Sequence, residues 1–168
     1  MDDSSVASPE VTVRFLVQVG SVDFAPEPVP GDPLPARSYR RVRGAIEILA
    51  DGHPSALAED ELVPLVSNLC FSAIPTVLSH RHAVVAFTDT YGYLRLDLEG
   101  ERIRLSGDRL PDIHLPAAPL LDGLITCGAR FRVWLRGCKL DGDIDSIDRQ
   151  LAALEATARD AMRAAVWP

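Results

Sequence analysis

The chain has 168 residues, 47% of them hydrophobic and 24% charged, and its 24 acidic against 17 basic side chains give a formal charge of −7. A chain of 18.3 kDa buries about 69% of the surface its unfolded form exposes, enough for a core without metal or disulfide staples. That composition excludes an intrinsically disordered chain, and the acidic balance opposes binding to phosphate backbones.

Residues 1–10, MDDSSVASPE, read as a disordered acidic leader preceding a single globular domain over 11–168. The run VTVRFLVQV then alternates strictly, with Val11, Val13, Phe15, Val17 and Val19 on one face, and predicts a half-buried strand. Five prolines between Ala25 and Pro35 require an extended connection. A second strand is expected from Tyr39 to Ala50, closed by the Asp51-Gly52 turn. Asp60 is placed as the N-cap of an apolar helix that runs on through Val77 and Leu78, with Pro75 kinking it or ending it near Ala73.

Three strands follow, Ala83 to Thr88, Tyr93 to Leu98 and Arg102 to Ser106, the last two forming a hairpin that puts Leu94, Leu96, Leu98, Ile103 and Leu105 on one face. Arg95, Asp97, Arg102 and Arg104 are left outward. A loop with Pro111, Pro116 and Pro119 leads to a short helix, Leu120 to Cys127, stopped by Gly128. RFRVWLR alternates and predicts a strand with Phe131, Val133 and Leu135 inward. A final amphipathic helix spans about Ser146 to Val166. The order β-β-α-β-β-β-α-β-α, with hairpin-length connections, predicts an α+β fold in which a largely antiparallel sheet of about six strands packs with three helices.

The stretch Leu62 to Leu78 is interrupted by Pro64, Ser67, Asn68, Ser72 and Pro75, which argues against a membrane span, and the N-terminus lacks the positive region of a secretory signal. A cytoplasmic location is the expectation. Cys70, Cys127 and Cys138 form no CxxC pair and read as free thiols. Arginine supplies sixteen of the seventeen basic residues and alanine appears twenty times, the imprint of a GC-rich bacterial genome.

Chemistry-bearing patterns are sparse. His80 and His82 would share a face if both lay on a strand, and two imidazoles there would chelate a metal given a third ligand such as His114 or Asp89. Asp141, Asp143, Asp145 and Asp148 precede the last helix. Their spacing resembles the start of an EF-hand loop but fails at Ser146 and Ala152, where glycine and glutamate are required. The competing reading is a helix N-terminus stabilised by acidic side chains, and a further one is an acidic patch for a basic protein partner. Arg37, Arg40, Arg41 and Arg43 flank Tyr39, yet the overall charge argues against a nucleic-acid site. Tyr91, Tyr93 and Trp134 are candidate interface aromatics, with Trp134 alternatively core.

No nucleophile elbow, phosphate loop, dinucleotide fingerprint or zinc-protease motif is present, and no cofactor is expected. These observations lead to a non-catalytic bacterial protein-binding domain, in the manner of immunity proteins that neutralise a toxin. A small metal-dependent enzyme built on His80 and His82 and a ligand-binding regulatory domain are the alternatives.

Overall fold

Alternating apolar and polar residues build two antiparallel four-stranded sheets, which pack with the helices around one core. The computed structural model describes residues 8–89, 91–108 and 110–167; the leader expected at the N-terminus therefore lies outside the described residues as far as residue 7. Glu10, at its end, is fixed, since its backbone N–H donates to Asp51 Oδ1 at 2.8 Å.

The first sheet has the order β2-β1-β3-β4, from strands Val11–Gln18 (β1), Phe24–Pro26 (β2), Arg43–Ala50 (β3) and His53–Glu61 (β4). The helix Leu62–His80 (α1) follows directly. The second sheet has the order β5-β6-β7-β8, from His82–Ala86 (β5), Tyr93–Glu99 (β6), Arg102–Gly107 (β7) and Leu110–Pro116 (β8). Two further helices, Ala117–Gly137 (α2) and Ile144–Ala164 (α3), complete an α+β fold with a long C-terminal helix.

The alternation in β1 does what its pattern predicts: Val13, Phe15 and Val17 are buried, and α2 packs on that face. The β6–β7 hairpin also forms as expected, with Leu96 opposite Leu105 and Leu98 opposite Ile103. Helix α1 packs on β5 and is enclosed by α2 and α3, so that Leu62, Leu65, Val66, Leu69, Phe71, Ile74 and Val77 sit at the centre of the core. By length and hydropathy, 1.6 in its best window, α1 is apolar enough to cross a membrane despite its polar interruptions. Half of that window is buried inside the fold, the surroundings of a core helix.

Several expectations are corrected. There are eight strands among the described residues where about six were anticipated: β4 and β8 carry prolines and charges that hide their alternation, β2 is only three residues long, and the strand expected over 130–136 is helical. Asp60 is no helix cap: it lies within β4. Tyr39–Arg41 form a 3-10 turn ahead of β3. Pro75 neither ends nor interrupts α1, because residues Val66–Ser72 are wound as a π-helix whose wider turns lie just before the proline, where its ring would otherwise meet a carbonyl.

The largest correction concerns residues 117–137. The short helix, the stop at Gly128 and the RFRVWLR strand are all parts of α2. Phe131, Trp134 and Leu135 are buried at helical spacing, while Val133 is 61% exposed. Gly128 is mid-helix because a Cβ there would lie 2.5 Å from the Phe71 ring, so its absence lets α2 approach α1. That close contact offsets the roughly 1 kcal/mol that glycine costs in a helix.

Candidate interaction surface

The second sheet packs one face on α1 and, among the described residues, leaves the other open. In β5 the burial alternates, with Ala83 and Val85 inward and His82, Val84 and Ala86 outward. The outward rows continue across the sheet: Ala86 is opposite Tyr93, Val84 opposite Arg95 and then Ser106, and His82 opposite Asp97, Arg104 and His114. Ion pairs knit this face. Arg95 Nε donates to Asp97 at 2.8 Å, Arg104 donates to Asp112 at 2.5 Å, and His114 lies 3.3 Å from Glu99. Such exposed pairs contribute little stability, about 0–1 kcal/mol each, and leave a polar surface interrupted by a few apolar or aromatic side chains. Those side chains are Val84, 58% exposed, Tyr93, 43% exposed, and Tyr91, fully exposed on the preceding loop.

The loop carrying Tyr91 is anchored by a residue that sequence reasoning misplaced. Asp60, 1% exposed, accepts the backbone N–H groups of Thr88 at 2.5 Å and Asp89 at 2.9 Å. A buried carboxylate needs such donors, and here they tie β4 of the first sheet to the β5–β6 loop of the second. Arg43 reinforces the junction by pairing with Asp89. The acid-rich stretch Glu59-Asp60-Glu61 was the available signal, but nothing local distinguished the buried member.

The four aspartates, Asp141 and Asp143 ahead of α3 and Asp145 and Asp148 within its first turns, separate into different roles. Asp143 is the N-cap, its Oδ1 accepting the Ser146 N–H at 2.9 Å. Asp148 is 15% exposed and accepts from Arg132 Nε at 2.9 Å, while Arg132 Nη1 donates to Glu155 at 2.6 Å, a network that fastens α2 to α3. Burial lowers the affinity of Arg132 for its proton, and the bonds to Asp148 and Glu155 raise it by more, so the net shift is upward. Asp148 is thus occupied within the fold, and Asp141 and Asp145 remain exposed. Asp141 borders an open cleft of about 400 Å³ lined also by Asp32, Arg37, Cys138 and Lys139.

Trp134 is withdrawn from the candidate interface. It is 4% exposed, packed against Phe15 and Phe131 with ring centroids 5.8 and 5.7 Å away. On a strand it would have faced away from Phe131; on a helix, three residues on, it shares that face.

His80 and His82 do not form the pair imagined for a strand. His80 ends α1, Arg81 has φ 64° in the left-handed region, and only His82 belongs to β5. The reversal at Arg81 removes the i, i+2 relation on which the chelate depended. Asp89, one suggested third ligand, is engaged by Arg43, and His114 is separated from His82 by two strands. Among the described residues no three His, Cys, Asp or Glu side chains gather as a metal site.

The basic cluster around Tyr39 is partly neutralised: Tyr39 is buried, Arg40 Nε donates to its hydroxyl at 3.2 Å, and Arg43 is paired with Asp89. Cys70 and Cys127 are both buried. Burial pushes the Cys70 thiol well up, with hydrogen bonding to Cys127 adding to the shift, which leaves it protonated and unreactive. Burial also raises Cys138.

Comparison with known protein families, with curated proteins and with solved structures finds no match to this chain.

Proposed function

We propose that this chain is a non-catalytic protein-binding domain of the bacterial cytoplasm, of the toxin-neutralising kind, whose partner is a basic protein. The observation that carries the reading is the exposure of Tyr91, on the β5–β6 loop that Asp60 holds, together with Tyr93 at the start of β6 and Val84 in β5 on the open sheet face. Tyrosines supply large contact area at low entropic cost and are enriched among interface residues that dominate affinity. Anchoring the loop in advance reduces the ordering cost of association. The net charge of −7, with Asp141 and Asp145 free at the surface, favours a cationic partner and accelerates its approach.

Affinity capture from extracts of the source cell at low ionic strength, followed by kinetics on the retained protein, tests this. Replacing Tyr91 and Tyr93 together by Ala weakens binding by about 30-fold or more, the equivalent of a hot-spot loss of about 2 kcal/mol. Asp141→Asn with Asp145→Asn slows association and reduces its salt dependence, with dissociation little changed. Asp143 and Asp148 are kept, since their removal would disturb α3 itself. The reading fails if no basic protein distinguishes the parent from the tyrosine variant.

A further inference from the structure

The two sheets have four outer strands, and three of them are closed to further pairing. In β2, which is only three residues long, Pro26 lacks an N–H at an outward position. Strand β4 carries Glu59 and Glu61 and contacts β8. Strand β8 contains Pro111 and Pro116, and its His114 carbonyl accepts from Arg102 Nη2 at 2.7 Å. Short length, proline, charge and coverage are the devices by which sheets avoid adding strands.

Strand β5, HAVVA, five residues long, carries neither proline nor formal charge, and among the described residues no strand pairs with its outer edge. The ladder with β6 fixes which backbone groups are used. Leu98 N–H donates to the Arg81 carbonyl at 2.7 Å and Phe87 N–H to the Gly92 carbonyl at 3.1 Å, so residues 81, 83, 85 and 87 turn their backbone groups towards β6. His82, Val84 and Ala86 therefore turn theirs to the free edge. Alongside that edge runs an open groove of about 280 Å³, bounded on the other side by Asn68, Ser72, Ala73 and Thr76 of α1. Those residues lie on or just after the π-helical segment, a local winding often found at functional positions.

The geometry points to a second copy of this chain as the occupant, joined β5 to β5 in antiparallel fashion about a two-fold axis at Val84. Unpaired N–H and C=O groups at alternate residues call for an extended strand and not for a helix or a small molecule. The spacing is self-complementary: Val84 pairs with Val84 of the second copy, and His82 pairs with Ala86 of the second copy in both directions, as an isologous interface requires. The pairing brings together no formal charges within the strands, although the chain carries −7 overall. Val84, 58% exposed, is covered by its own counterpart, and the short side chains of Asn68, Ser72, Ala73 and Thr76 of α1 border the groove beside it. The two second sheets become one continuous sheet of twice four strands, with Tyr93 of each copy on the same open face.

The inference is independent of the partner-binding reading, because it concerns the edge and is measured on the protein alone. Sedimentation equilibrium of the full chain, from micromolar to millimolar, is the test. The expected result is a reversible shift from 18.3 kDa towards twice that mass as concentration rises. Val84→Pro removes an outward N–H without touching the β6 ladder, and Val84→Lys places a charge at the two-fold axis. Both variants remain at the monomer mass while their circular dichroism spectra match the parent. A parent that stays monomeric at every concentration overturns the proposal, and leaves the edge to an extended segment of another protein. Dimerisation unchanged in both variants overturns it too, since the contact must then lie elsewhere.

Discussion

The two sheets contain the same number of strands and the same antiparallel pairing, yet they bury themselves differently. In the first, β3 is closed on both faces, from Gly44 to Leu49, with the outward Glu47 only 9% exposed and paired to Arg14 Nε at 2.5 Å. Its inner face meets Phe131 and Trp134 through Phe15. In the second sheet the inner face is as well buried, but the outer one is wet and laced with ion pairs, and one edge is open. Both inner faces thus share one core, and the contrast lies outside it: the first sheet is covered around β3, whereas the second presents an exposed outer face, the one on which the proposed function and the edge pairing rest.

The comparison is broken most easily at the aromatic contact. Phe15→Ala or Phe131→Ala removes one of two fully buried rings whose centroids lie 5.5 Å apart, and should cost about 3–5 kcal/mol in urea melts. A much smaller cost would mean that the first sheet does not carry the core. Next in size are the polar ties. Asp60→Ala leaves the Thr88 and Asp89 N–H groups unmet, and Arg132→Ala leaves Asp148 and Glu155 without their shared donor. Each is expected to cost about 1.5–3 kcal/mol, the range for hydrogen bonds to charged groups. Only the Asp60 variant should also free the Tyr91 loop, visible as faster proteolysis there. The smallest effect sharpens the contrast: Val84→Ala and Arg95→Ala on the open face should each lie within about 0.5 kcal/mol of the parent in dilute solution. A loss as large as that at Phe15 would show that the face is covered within the monomer.

Much of this arrangement was legible in the sequence where one physical cause dominates. Strands β1, β6 and β7 each have a single buried face, so their alternation is plain, and α3 shows its amphipathic period because one side meets solvent. Legibility failed where two causes compete. Residues 130–136 alternate as a strand would, but Leu124, Cys127, Phe131, Trp134 and Leu135 form a helical face when the window is widened. Gly128 reads as a stop unless the Phe71 ring across from it is known. Strand β8 is punctuated by Pro111 and Pro116, which an edge strand tolerates and a central strand does not. At the candidate surface, Tyr91 and Tyr93 were visible as sequence. Asp60 was not, because its role depends on amides twenty-eight and twenty-nine positions away. The aspartate run looked uniform until Arg132 claimed Asp148.

Amide hydrogen exchange resolved along β5 tests the central claim most directly, because it reads both the closed and the open side of one strand. At low concentration the account predicts slow exchange at Ala83 and Val85, bonded to β6, and fast exchange at His82, Val84 and Ala86. On concentrating the protein, the latter three should slow while Ala83 and Val85 change little. Equal protection of all five amides at every dilution, or fast exchange of the outward three at every concentration, would contradict an open edge that a second copy fills.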